Sequence, residues 1–175
     1  MHLGIHYPCN DPGKELISPI NRRLFEYWES RKIGGRIPRL SALDLMDIYR
    51  VAPYLIIRDA IDDNKDFRTR YWGGGIADAY GCDMTGHLLS GDYGKGSDEI
   101  IKYYRMILRD QVPVRAVGNL IFVSKRDHIC YECLFLPLLN DHDETVHVIS
   151  SWDFDYTLSA EEKAKIEEQA IEWGA

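Results

Sequence analysis

Two cysteines three residues apart, Cys130 and Cys133, form the pattern in this sequence that most resembles a chemical motif. A Cys-x-x-Cys pair serves redox chemistry or binds zinc when both sulfur atoms point to the same side of the chain. Here the pair lies in an apolar run typical of a β-strand, where residues three apart point to opposite faces. The other two cysteines, Cys9 and Cys82, do not form a second pair that could complete a zinc site. We therefore interpret the cysteines as reduced structural thiols and predict no metal site.

Two further segments carry weaker chemical signals. Residues 73–75 are consecutive glycines after a predicted strand, but a dinucleotide-binding fingerprint requires another glycine where Asp78 stands. Residues 141–144 offer carboxylates to a cation, yet they lack the glycine and the distal glutamate of a calcium loop. The six histidines are scattered, and the sequence has no nucleophile elbow or HExxH motif. We interpret the two segments as a tight strand exit and a solvated turn, and we predict that the chain is not an enzyme.

Capping residues and helical spacing predict the helices. They cover residues 19–32, a short stretch from residue 41, residues 97–111 and residues 159–173. Ser18 followed by Pro19 marks the first start, Ser97 caps the long amphipathic helix, and Ser159 with Glu162 forms a capping box. Residues 73–96 are rich in glycine, which favours short helical turns.

Apolar and aromatic runs separated by polar turns predict five strands. They cover residues 54–61, 67–72, 114–123, 129–138 and 146–152. The first two form a hairpin and the last three an antiparallel meander. The predicted fold class is therefore α+β, a five-stranded antiparallel sheet with helices on one face and flanking N- and C-terminal helices.

Length and composition favour one globular domain over residues 1–175, with 45% hydrophobic and 28% charged residues. The formal net charge of −7 disfavours binding to nucleic acid or to an anionic membrane, because both depend on Lys and Arg at phosphates. The sequence contains no window long enough to span a bilayer and no apolar leader. We therefore expect a cytoplasmic protein.

Several short motifs in this order resemble one protein family. They are Leu24-Phe25-Glu26-Tyr27-Trp28 with Arg31, Gly34-Gly35 and Ile37-Pro38, then Pro53-Tyr54-Leu55, the strand from Arg68 to Gly73, Gly81-Cys82-Asp83-Met84-Thr85-Gly86 and Leu134-Phe135-Leu136-Pro137-Leu138. The series resembles the PAS-like family found mostly in alphaproteobacteria, formerly described as a domain of unknown function (PAS_5 type). The resemblance covers residues 24–150 and places the PAS core at about 24–152. In that family the first proline usually precedes Ser-Arg, whereas Pro38 precedes Arg39 directly.

The resemblance implies a sensory or regulatory module with a cavity between the sheet and the glycine-rich stretch. Many relatives bind a small molecule there, and others bind nothing and serve as dimerisation platforms. Haem-binding relatives usually carry an axial histidine on or near the long helix, and residues 97–111 contain none. Photoactive flavin relatives carry a cysteine in a short motif that Cys82 does not match. Haem and a photochemical flavin are therefore disfavoured, and the cofactor stays open.

Polar and aromatic residues around this predicted cavity form the candidate ligand site. They are Arg68, Arg70, Tyr71, Trp72, Thr85, Tyr104 and Tyr131. The arginine fork binds carboxylates and phosphates, and aromatic walls bury the apolar part of a ligand. Since strand residues alternate, we expect Tyr71 to face the cavity and Arg70 to reach around its rim. The predicted guest is a small anionic or amphipathic molecule.

The first helix carries a large apolar load for an element outside a PAS core. Its candidate interface residues are Leu24, Phe25, Tyr27 and Trp28. If these residues are exposed, they form a hydrophobic patch that predicts a homodimer. The alternative is that they cover the chain's own sheet. Within this chain no output region is attached, so we expect the signal to pass to a signalling protein that the sequence does not identify.

Three hypotheses follow for the function. The first is a sensory module that binds a small molecule or a partner, the second a ligand-free dimerisation or adaptor domain with a filled core, and the third a small α+β enzyme with an unrecognised site. A cavity of about several hundred Å³ distinguishes the first from the second. Two titratable residues with perturbed pKa values that meet in the cavity would support the third.

Overall fold

The computed structural model describes residues 5–8, 11–92, 97–120, 125 and 128–172. The strands are β1 Ile5–Pro8, β2 Leu55–Ile61, β3 Asp66–Trp72, β4 Val114–Asn119, β5 Cys130–Leu139 and β6 Thr145–Asp153. The helices are α1 Pro12–Glu15, α2 Pro19–Ser30, α3 Gly74–Tyr80, α4 Leu89–Asp92, α5 Ser97–Asp110 and α6 Ala160–Glu172. Three short 3-10 turns, Leu40–Ala42, Leu45–Ile48 and Ala52–Tyr54, take the place of the helix predicted from residue 41.

The strands form one antiparallel sheet in the order β1-β4-β5-β6-β2-β3. The predicted α+β class is confirmed, and all five predicted strands are present. β1 is a sixth strand that the sequence analysis did not predict, and it pairs with the edge of β4. Residues 121–123 of the third predicted strand and Trp173 of the last predicted helix lie outside the described residues.

One face of the sheet is covered by α3, α4 and α5. The buried stripe of α5 consists of Ile100, Ile101, Tyr104, Ile107 and Leu108, which follow helical spacing. It packs on aromatic residues of the sheet, and the Tyr104 ring centroid lies 4.9 Å from that of Phe67 and 5.6 Å from that of Phe135. Aromatic side chains therefore fill most of the space between α5 and the sheet.

The opposite face of the sheet is covered by α2. Leu24, Tyr27 and Trp28 are buried against apolar residues of β2, β5 and β6. Trp28 Nε1 also donates a hydrogen bond to the Pro137 carbonyl at 3.0 Å. Of the four predicted interface residues, Phe25 alone is partly exposed. These apolar residues of α2 cover the chain's own sheet, which is the alternative stated above. An exposed apolar patch on this helix therefore no longer supports the predicted homodimer.

A buried ion pair in the sheet connects the two flanking helices. Arg115 Nε on β4 donates to Glu132 Oε1 on β5 at 2.7 Å, and Glu132 is fully buried. Glu132 also accepts a hydrogen bond from the Ser18 backbone N–H at the start of α2. On the other side, Arg115 donates to the Tyr156 hydroxyl at 3.0 Å, and that hydroxyl donates to Glu162 in α6. Burial, together with the hydrogen bond to Glu162, raises the pKa of Tyr156 to about 12, so the hydroxyl stays protonated.

Candidate functional site

A small cavity lies beneath α5, where the sequence predicted a ligand pocket. Its volume is about 30 Å³, which is room for roughly one or two water molecules. Ordinary ligand pockets measure about 300–1,000 Å³. The cavity is lined by Arg58, Tyr80, Ile100, Tyr103, Tyr104, Ile107, Tyr131, Cys133, Phe135 and Trp152. The described residues therefore form no pocket of the predicted size at this place, because aromatic side chains fill it.

Arg58 is the charged residue in this cavity lining, and it is not among the seven predicted ligand residues. The residue is 2% exposed, and its guanidinium carbon lies 5.9 and 5.4 Å from the ring centroids of Trp72 and Tyr104. The guanidinium donates hydrogen bonds of 3.2 Å to the Thr69 and Tyr104 hydroxyls. A signal was present in the sequence, because Arg58 is a charge within an apolar strand and shares its face with Ile56.

The structure brings together three of the seven predicted ligand residues. Trp72, Tyr104 and Tyr131 lie in the buried cluster beneath α5. Arg68 and Thr85 are exposed. The Thr85 hydroxyl is occupied within its own turn, where it donates to Asp83 at 2.7 Å.

Tyr71 and Arg70 do not occupy the positions predicted for them. Tyr71 packs on the α2 side of the sheet, and its hydroxyl donates to the Ala52 carbonyl at 3.0 Å. Arg70 is half-exposed and pairs with Asp59, its Nη2 lying 2.8 Å from a carboxylate oxygen. Neither residue lines the cavity beneath α5. The prediction of Tyr71 inside a pocket with Arg70 at its rim is therefore wrong.

A β-bulge explains how these side chains are arranged. Ile57 pairs with Tyr71, but the next residue, Arg58, pairs with Thr69, so Arg70 is an extra residue in β3. Strict alternation would place Phe67, Thr69 and Tyr71 on one face. With the bulge, the α5 side instead receives Phe67, Thr69 and Trp72.

Cys130 and Cys133 lie on opposite faces of β5, as the alternation of the strand predicts. Cys133 lies in the core beneath α5, and Cys130 packs beside α6. Burial, reinforced by the charge of Glu132, raises the pKa of the Cys133 thiol well above its ordinary value, so it stays protonated. Among the residues that the structure describes, no three His, Cys, Asp or Glu side chains are grouped so that they could hold a metal ion.

Replacing Cys130 with serine and Cys133 with alanine is expected to leave the metal content of the protein unchanged, because the two sulfur atoms cannot reach one ion. Inductively coupled plasma mass spectrometry of the wild type and the double variant measures this. The exposed Cys82→Ser variant is the matched control. Stoichiometric zinc that disappears in the double variant and persists in the control would contradict the prediction.

A groove of about 500 Å³ lies at the surface, where the segment after α2 meets the β5–β6 turn. It is lined by Arg31, Ile33, Arg36, Ile37, Pro38, Arg39, Ser41, Ala42, Leu139 and Asp143. A backbone hydrogen bond of 3.0 Å from Leu139 N–H to the Pro38 carbonyl joins the two segments. Three arginines thus surround an apolar floor. We call this site the arginine groove.

One carboxylate in the arginine groove is shared by two guanidinium groups. Arg39 Nη2 lies 2.6 Å from Asp143 Oδ1, and Arg36 Nη2 lies 3.5 Å from Asp143 Oδ2. The hydrogen bond from Arg39 is the main reason why the pKa of Asp143 is lowered. Arg31 pairs with Asp47, outside the groove. Asp141 also lies beside the groove, where it accepts a hydrogen bond of 2.6 Å from the Ser41 hydroxyl. The exposed guanidinium groups of Arg36 and Arg39 suit a carboxylate attached to an apolar group.

A family model described as a PAS domain matches residues 16–151. The chain therefore belongs to the PAS domain family. Among solved structures, an RNA-binding light-oxygen-voltage receptor matches with a TM-score of 0.50 and 15% identity over 98% of this chain, which spans 42% of that receptor. The PAS domain of Bordetella pertussis BvgS matches with a TM-score of 0.46 and 16% identity, over 74% of this chain and 99% of that domain. At such low identity, likeness to the receptor shows a shared fold alone. A search of curated proteins found no match.

Proposed function

We propose that this chain is a regulatory PAS module that acts by binding a protein partner and has a filled core. The main support is the cavity of about 30 Å³ beneath α5, which is roughly a tenth of the smallest ordinary ligand pocket. The arginine groove, at about 500 Å³, offers far more room for contact at the surface. Regulation through surface contacts therefore agrees better with this geometry than ligand binding in the core.

A sensor of a small anion is the second candidate, and the buried charge of Arg58 favours it. A guanidinium on a residue that is 2% exposed, bonded to the Thr69 and Tyr104 hydroxyls, is suited to a carboxylate or a similar anion. Such a ligand would require α5 to move away from the sheet. A haem or a flavin does not fit the cavity as it stands, since each needs about several hundred Å³.

Catalysis and nucleic-acid binding have less support. Burial raises the pKa of Tyr103, as it does that of Cys133, so both groups stay protonated and neither provides a base or a nucleophile at neutral pH. The receptor of similar fold is RNA-binding by name, but this chain has a net charge of −7, which opposes binding to a phosphate backbone.

Within the described part of the chain, no helix is long and apolar enough to cross a membrane. A cytoplasmic location and a homodimer stay predictions.

Native mass spectrometry of the purified protein tests the proposed function. We expect the mass of the chain without a stoichiometric small-molecule adduct, because the core is filled. The same spectrum reports whether the protein is a monomer or a dimer. An adduct that is lost in Arg58→Met and kept in the control Arg68→Met, whose arginine is exposed, would overturn the proposal and favour the sensor.

A further inference from the structure

We propose that the arginine groove binds an acidic segment of a partner protein that also carries apolar side chains. This inference rests on the proposed function, since it names the surface and the chemistry through which a partner is bound. The groove joins two parts of the chain, residues 31–42 and residues 139–143.

The groove combines the two features that such a segment requires. Its guanidinium groups present planar pairs of donors that match carboxylates. Its floor contains Ile37, Pro38 and Leu139, and Ile33 stands at its edge with 82% of its surface exposed. A large apolar residue beside arginines is typical of the contact surface of a protein interface.

The ion pairs already present in the groove are easily exchanged. The side chains of Arg36 and Arg39 are 63% and 47% exposed, so their pairing with Asp143 contributes little to stability. A carboxylate of the partner can therefore replace Asp143 at small cost. The net charge of −7 repels an acidic segment at long range, so its binding depends on exposed guanidinium groups such as those of Arg36 and Arg39.

The shape of the groove favours a protein segment over a small molecule. Small ligands bind tightly when a site covers most of their surface, and this groove is open to solvent. An extended or helical segment instead gains affinity from several side chains in succession. A nucleic acid also offers anions to arginine, but its phosphate backbone has no apolar side chains to place on Ile37, Pro38 and Leu139.

A random-peptide phage library selected against the full chain tests the inference. We expect the selected peptides to be enriched in Asp or Glu next to Leu, Ile or Phe. Binding of a selected synthetic peptide should weaken by about tenfold or more in the double variant Arg36→Gln/Arg39→Gln. The control is Arg23→Gln, whose arginine is exposed on α2, and it should bind as the wild type does. Circular dichroism verifies that both variants fold.

A third variant should change affinity in the opposite direction. Asp143→Asn removes the carboxylate that competes for Arg36 and Arg39, and asparagine tolerates the positive φ of 64° at this turn. The same peptide should therefore bind about three- to tenfold more tightly. Selected peptides that are not acidic, or that bind the double variant as tightly as the wild type, would show that the arginine groove is not the binding site. The proposed function, regulation through a protein partner, would not be contradicted by that result. An adduct in native mass spectrometry would instead overturn the proposed function.

Discussion

Replacing Glu132 with alanine is expected to lower the free energy of unfolding by about 3–5 kcal/mol, because it leaves buried Arg115 with the more distant carboxylate of Glu162, at 3.5 Å, as its counter-charge. Glu132 is fully buried and accepts a hydrogen bond from Arg115 Nε at 2.7 Å. It also accepts from the backbone N–H groups of Ile17 and Ser18, at 3.1 and 2.7 Å, and from Asn21 Nδ2 at 3.1 Å. Loss of the carboxylate removes all four bonds at once. Urea denaturation of both proteins measures the difference.

The control for this prediction is Glu26→Ala on the exposed side of α2, which should change the free energy of unfolding by less than about 0.5 kcal/mol. Glu132→Gln retains the size of the side chain but not its charge, and we expect a loss of about 2 kcal/mol. A double-mutant cycle with Arg115→Met isolates the energy of the pair from that of the backbone hydrogen bonds. A loss below about 1 kcal/mol for Glu132→Ala would show that the Glu132 carboxylate does not hold the start of α2 to the sheet.

Local features of this fold were predictable from the sequence because their causes lie within a few residues. The Ser18 side chain accepts from Asn21 N–H, so α2 begins where serine followed by proline predicted. At the start of α6, Ser159 N–H donates to Glu162 and Glu162 N–H donates to the Ser159 hydroxyl. This reciprocal pair is the capping box that the sequence predicted.

Features that depend on distant residues were not predictable in the same way. The bulge at Arg70 shifts one strand against its neighbour and changes which side chains face α5. The arginine groove depends on contacts such as Arg39 with Asp143, which are 104 residues apart. Glu132 is one of the two residues between the cysteines of the Cys-x-x-Cys pattern, and a charge inside an apolar strand indicates a buried partner. Periodicity within single strands contains no information about these contacts.

Replacing Gly73 with alanine is expected to lower the free energy of unfolding by about 3 kcal/mol, the upper end for overpacking. The chain leaves β3 at Gly73 and passes directly over the turn that precedes β2. A Cβ atom at this position would lie 2.2 Å from the Pro53 carbonyl oxygen and 2.8 Å from that of Ala52. Both atoms belong to backbone, so relief requires the chain itself to move and strains the hydrogen bond from Gly73 N–H to the Leu55 carbonyl. The φ of −68° suits any residue, so close approach alone makes glycine necessary.

The neighbouring glycine provides a matched control in the same sequence of three glycines. A Cβ atom at Gly74 would have nothing within 4 Å, and Gly74 is the first residue of α3. Gly74→Ala should therefore be neutral or stabilise the protein by up to about 1 kcal/mol, since alanine lowers the entropy of the unfolded chain and favours the helix. In urea denaturation we expect the free energies of unfolding of Gly73→Ala and Gly74→Ala to differ by about 3–4 kcal/mol. Equal stability of the two variants would contradict the prediction. It would mean that the turn at Pro53 moves aside at little cost in free energy.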